Sequence, residues 1–68
     1  MKKILVLGTG APQLDLIKEC KARGLNVYAC SYRANDIAEK YADHFSLINI
    51  ADTEKVEKYA KEQRVDYI

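Results

Sequence analysis

Residues 3–10 read Lys-Ile-Leu-Val-Leu-Gly-Thr-Gly, and the fold turns on how that stretch is read. The four consecutive aliphatic residues Ile4 to Leu7 show no alternation of apolar and polar positions, the pattern of a strand buried on both faces. Such strands belong to parallel sheets covered by helices. The run empties into Gly8-Thr9-Gly10, and Ala11-Pro12-Gln13-Leu14 follows with a proline suited to a first helical turn, where its missing N–H costs nothing. A strand ending in a glycine turn beneath a helix N-terminus aims backbone N–H groups and the positive end of the helix dipole at one spot, where an anion can sit.

Outward from that turn, Leu14, Ile17 and Cys20 recur at three-residue spacing and Leu16 joins Cys20 four residues on, which predicts a helix to about Arg23. Gly24 supplies a left-handed stop. Leu25 to Cys30 reads as a second strand, completing a βαβ unit whose two strands run parallel. Asn35 or Asp36 can cap a short helix carrying Ile37, Ala38, Tyr41 and Ala42 on one side. Phe45 to Ile50 reads as a third strand. Asp52 is a sound N-cap for a helix to about Gln63, with Val56, Tyr59 and Ala60 inward and the pairs Glu54 with Lys58 and Glu57 with Lys61 outward. Val65-Asp66-Tyr67-Ile68 begins a fourth strand. The expected fold is therefore an α/β, Rossmann-like, three-layer half-domain over residues 1–68, with a parallel sheet in the order 3-2-1-4 and a truncated fourth strand. A β-α-β-α-β order expects more strand and a further helix after Ile68, so the chain reads as the N-terminal fragment of a longer one. If it stood alone, Ile4 to Leu7 would form an apolar edge of the kind that pairs with other chains, a homodimer among them.

Composition narrows the partners. Eleven basic and ten acidic residues, interleaved along the chain, give a formal charge of +1, so there is no electrostatic case for nucleic acid or an anionic membrane. Met1-Lys2-Lys3 leads into only four strongly apolar residues, too few for a signal peptide or a membrane span. The two cysteines lie without metal-ligand spacing and fit reduced thiols in a cytoplasm.

Gly8-Thr9-Gly10-Ala11-Pro12-Gln13 carries the first two glycines of the dinucleotide fingerprint G-x-G-x-x-G, but Gln13 stands where the third belongs. Pro12 removes one N–H that would face a pyrophosphate. The acidic residue expected about 20 positions on is replaced by Cys30-Ser31, which argues against NAD. Ser31 and Arg33 are suited to a 2′-phosphate, which keeps an NADP site as an alternative, and a third reading is a stand-alone interaction domain. The glycines equally serve as no more than a strand-to-helix turn. His44 has no nearby Cys or second His, Cys30 has no flanking base, and Asp36, Asp43, Asp52 and Asp66 fall at different ends of the sheet. The chain shows no catalytic constellation and no metal-ligand set.

Taken together, Ile4 to Gly10, Lys21-Ala-Arg-Gly-Leu25, Tyr41-Ala-Asp-His-Phe45, Asp52 and Val65-Asp-Tyr-Ile68 resemble the N-terminal domain that precedes the ATP-grasp fold. The resemblance covers essentially all 68 residues and looks closest to formate-dependent glycinamide ribonucleotide transformylase, carboxyaminoimidazole ribonucleotide synthetase and the carbamoyl-phosphate synthase large subunit. It implies a parent ligase that uses ATP and magnesium to form an acyl phosphate and passes the acyl group to an amine. The ATP and metal ligands then belong to the remaining domains of the same chain, and no cofactor to residues 1–68. The contribution of this domain is a small-molecule substrate wall at Gly8, Thr9, Gly10, Ala11, Pro12 and Gln13, with Ser31 and Arg33 on the same rim. In the transformylase the residue at the position of Ala11 is acidic, and many relatives carry Asp where this chain has Ser31; both departures leave the substrate open.

Overall fold

The aliphatic run forms the strand β1 (Lys3–Leu7) in a computed structural model that describes residues 1–68. It is followed by α1 (Ala11–Ala22), β2 (Asn26–Ser31), β3 (His44–Leu47) and α2 (Thr53–Gln63). The three strands are parallel, with β2 in the centre. Register runs from Lys3 opposite Asn26 to Leu7 opposite Cys30, and from Tyr28 opposite His44 to Ser31 opposite Leu47.

Alternate residues of β1 and β2 feed two cores, which is why neither strand alternates in polarity. Val6, Val27 and Ala29 pack with Ile17 and Cys20 of α1 and with Ala38. Leu5, Tyr28 and Cys30 pack on the other face against Val56 and Ala60 of α2. Helices on opposite faces of one sheet make the expected three layers. Ile17 of α1 and Val27 of β2 are both fully buried in the first core.

Helix ends follow the expected residues. Gly24, at φ +79°, takes the left-handed turn after α1, and Asp52 accepts a hydrogen bond from the Lys55 N–H at 3.2 Å to cap α2. Arg64, at φ +55°, supplies the left-handed stop of α2. On α2 the ion pair that forms is Lys55 with Asp52 at 3.8 Å, rather than Glu54 with Lys58 or Glu57 with Lys61.

Several expectations need correction. Leu16 does not join Cys20 in the core; it is half-exposed beside the outer edge of β1. The short helix at 36–42 is only a 3-10 turn, Glu39–Tyr41, with Ala38 alone buried and Ile37 turned outward. Asn35 sits at φ +62°, Asp36 bonds the Ile37 N–H at 2.8 Å, and the Ala38 N–H is drawn to the Thr9 carbonyl at 2.8 Å. Those bonds take the donors and conformations that a helix start would need, and two turns are too short to win them back. β3 begins at His44 and ends at Leu47, the four residues in register with β2, and Leu47 is exposed.

Val65 to Ile68 forms no strand of its own. After Arg64, Tyr67 makes a single parallel bridge to Ile4 on the free side of β1. The Leu5 N–H donates to the Tyr67 carbonyl at 2.9 Å, and the Asp66 and Tyr67 N–H groups both reach the Lys3 carbonyl, at 2.8 and 3.2 Å. The sheet is thus three-stranded in the order 3-2-1, with β1 at its edge.

Candidate functional site at the glycine turn

Parallel strands bring their C-terminal ends to one rim, and the residues singled out in the sequence gather there. The Gly8 N–H donates to the Cys30 carbonyl at 2.7 Å, carrying the β1–β2 ladder one residue past the strand. Gly8 then turns at φ +99°, a conformation that L side chains rarely adopt. Gly10 is the N-cap of α1 and accepts the Gln13 N–H at 3.0 Å. In return the Gln13 side chain folds back, and its Oε1 accepts the Gly10 N–H at 3.1 Å. The carboxamide therefore lies over the turn: a methyl placed on Gly8 would meet its carbon, nitrogen and oxygen at 3.1, 3.2 and 3.3 Å. Gln13 does not hold α1 away from the sheet, as its place in the fingerprint suggests; it closes the turn from above.

Thr9 points inward. Its residue is buried and its carbonyl holds the Ala38 N–H, while its hydroxyl is buried without a hydrogen-bond partner. Ala11 and Pro12 are exposed on the first turn of α1. Ser31, buried at the end of β2, accepts the Arg33 N–H at 3.3 Å through its hydroxyl, and the Arg33 guanidinium pairs with Asp36 at 3.4 Å. An acid beside Arg33 opposes a 2′-phosphate, so the pair that supported NADP is engaged internally. Asp36 also lies 3.8 Å from the position a methyl on Gly10 would take. The sequence marks Asp36 as a helix cap and as one of four scattered acids; its place three residues after Arg33 is the signal for the pair. Cys30 is fully buried, and burial pushes its thiol up, so it is a packing residue rather than a nucleophile.

Beside the turn, along the free edge of β1, runs an apolar groove of about 490 Å³. Ile4, Leu5, Val6 and Leu7 form its floor, with Pro12, Gln13, Leu16 and Ile68 at its sides. Gln13 is thus shared between turn and groove.

The opposite rim carries the charged anchors. Asp43 pairs with Lys21 of α1 and accepts the Val27 N–H at 2.7 Å, while the Val27 carbonyl accepts the Asp43 N–H at 2.9 Å. Partial desolvation acts against its charge, but the bonds from Lys21 and Val27 outweigh it and hold the carboxyl below its ordinary value. Asp66 takes the Lys3 N–H at 2.8 Å, and the Lys3 ammonium reaches the Gln63 carbonyl at 3.0 Å. His44 stacks on Tyr28 with ring centroids 4.3 Å apart, a packing role. Nowhere do three His, Cys, Asp or Glu side chains converge as a metal site would require.

No family model matches the chain. It is 37% identical over 67 residues to the formate-dependent phosphoribosylglycinamide formyltransferase of Prochlorococcus marinus subsp. pastoris, a match that takes in 98% of this chain and 17% of that enzyme. Among solved structures it superposes on phosphoribosylglycinamide synthetase from Anaerococcus prevotii with a TM-score of 0.82 at 32% identity, covering 96% of this chain and 17% of that one. N5-carboxyaminoimidazole ribonucleotide synthetase from Thermotoga maritima gives 0.81 at 27% identity over 91% of this chain and again 17% of its own. The chain thus spans about a sixth of the length of each relative.

Proposed function

The chain matches the N-terminal part of the ATP-grasp carboxylate-amine ligases, and from that premise we propose that it forms the substrate-side wall of such an enzyme, without catalysing a reaction alone. The observation that carries the reading is the pairing of a glycine-turn rim with an adjoining apolar edge: the turn and the first residues of α1 face outward beside a groove that this domain leaves half-built.

In the parent protein we assign ATP and magnesium to the remaining domains. The residues here do not fit them: no carboxylate set converges, and the Gly10 N–H that would meet a phosphate is held by Gln13. The reaction class is acyl-phosphate formation on a carboxylate followed by transfer to an amine, as the resemblance to ATP-grasp ligases implies. This chain's part is to bind and orient: Ala11 and Pro12 present an apolar surface on the rim, Gly8, Thr9 and Gly10 fix it, and Gln13, Ser31 and Arg33 flank it. Ala11 brings no carboxylate to the amine substrate, so that substrate is recognised here by shape. In the whole protein the sheet order is 3-2-1-4, with Tyr67 and Ile68 opening the fourth strand against β1. The remaining domains of the same chain cover the groove, a homodimer contact being the other cover. No helix is long and apolar enough to cross a membrane, and we place the enzyme in the cytoplasm.

The test is ADP release by the full-length protein encoded with these residues. Release that requires both a carboxylate and an amine, and an amine KM that rises on Pro12→Gly while kcat holds, supports the assignment. Release independent of any amine overturns it.

A further inference from the structure

We propose that Gln13 is the specificity-determining residue of the glycine turn: its carboxamide occupies the place an anionic group would take, and the turn is closed to phosphate. This rests on the substrate-wall reading above and narrows it, since the ligand is then met by Ala11, Pro12 and the face of the carboxamide rather than by bare backbone donors.

A phosphate cradle at a helix N-terminus needs several free N–H groups converging on one point. Here the four positions that would supply them are Gly10, Ala11, Pro12 and Gln13. The Gly10 N–H is bonded to Gln13 Oε1 at 3.1 Å, and the Gln13 N–H to the Gly10 carbonyl at 3.0 Å. Pro12 has no N–H at all. Of these four only the Ala11 N–H is left, and one donor from the helix start does not offset the desolvation of a phosphate. The volume is taken as well, because the carboxamide carbon, nitrogen and oxygen crowd the space above Gly8 at 3.1 to 3.3 Å. Charge points the same way: the Asp36 carboxylate lies 3.8 Å from the methyl position of Gly10, and the Arg33 guanidinium on the same rim is paired with that acid. A glycine at position 13 would leave both the donor and the space open. The side chain that departs from the fingerprint thus supplies what a bound anion supplies elsewhere, an acceptor for Gly10 and a cover for Gly8.

The proposal is tested on the 15N-labelled chain by amide exchange and by titration with inorganic phosphate and pyrophosphate. The Gly10 amide is expected to be protected in the natural sequence and to exchange about fivefold to tenfold faster in Gln13→Gly and Gln13→Ala, the loss of one hydrogen bond. Gln13→Glu keeps the acceptor and retains protection. Phosphate and pyrophosphate leave the Gly8, Gly10 and Ala11 resonances of the natural chain unshifted. Saturable shifts there, or Gly10 protection that survives Gln13→Gly, overturn the proposal. These readouts need no catalysis, so a parent protein without ligase activity would sink the substrate-wall reading and leave them in place.

Discussion

The two rims of the sheet are held together by different means. At the N-terminal ends of the strands, ionised side chains join elements far apart in sequence: Asp43 ties α1 to β2, and Asp66 and Lys3 tie the chain end to β1. At the C-terminal ends the contacts around the glycine turn are neutral, Gln13 to Gly10, Ser31 to Arg33, the Thr9 carbonyl to Ala38, the one ion pair, Arg33 with Asp36, spans only three residues, and one buried hydroxyl has no partner. Charge-assisted bonds are shorter and roughly twice as strong as neutral ones, so stability is concentrated on the rim away from the candidate site. The rim that carries the glycine turn keeps the weaker contacts.

The contrast breaks most visibly at Asp43. Asp43→Ala removes the Lys21 partner and leaves the Val27 N–H, beside a fully buried side chain, without an acceptor. An orphaned buried donor costs about 1–3 kcal/mol, and the whole substitution is expected to cost about 2–3 kcal/mol. In a domain of this size that lowers the melting temperature by roughly 10 °C or more, measurable by circular dichroism. On the other rim, Gly8→Ala forces a side chain into φ +99° and pushes the Gln13 carboxamide aside. The carboxamide is flexible and yields, so the cost is the backbone strain, about 1–2 kcal/mol by denaturant midpoint.

Acid separates the two rims without mutation. The native carboxyl of Asp43 titrates below its unfolded value, so its contribution is fully present above the ordinary carboxylate range and is lost as pH falls through the lowered native value. Stability should drop below about pH 4, and Asp43→Asn should flatten that part of the curve while leaving Gly10 protection on the other rim unchanged. A curve of unchanged steepness in Asp43→Asn would assign the acid sensitivity elsewhere.

The two rims also differed in how far the sequence disclosed them. β1, α1 and β2 were legible because Ile4 to Leu7 and Val27 to Cys30 are buried on both faces, and burial on both faces writes itself as a continuous apolar run. Asp52 was legible because a cap acts within three residues. Asp43 was seen only as a loop acid, since its partner Lys21 is 22 residues away and no local pattern links them. The stretch 36–42 misled because its apolar residues have helical spacing, while its donors and acceptors are claimed by the Thr9 carbonyl and the Asp36 carboxylate. For the site, the glycine turn and the rim positions of Ser31 and Arg33 followed from topology. The direction taken by the Gln13 side chain did not, because a rotamer that folds back onto its own N-cap leaves no periodicity to read.

The smallest expected effect has the opposite sign. Thr9 lies inside the candidate turn with its hydroxyl buried and unpartnered, and Thr9→Val replaces that hydroxyl with a methyl of similar shape. A buried hydroxyl without a bond is a cost the folded state carries, so removing it should raise stability by up to about 1 kcal/mol, seen as a later denaturant midpoint at unchanged slope. Ser31→Ala on the same rim removes a hydroxyl that does hold the Arg33 N–H, and should lower stability instead. The pair separates a polar group kept for packing from one kept for a bond. If Thr9→Val proves destabilising, the hydroxyl has a partner in solution, and the rim is held more firmly than its neutral contacts indicate.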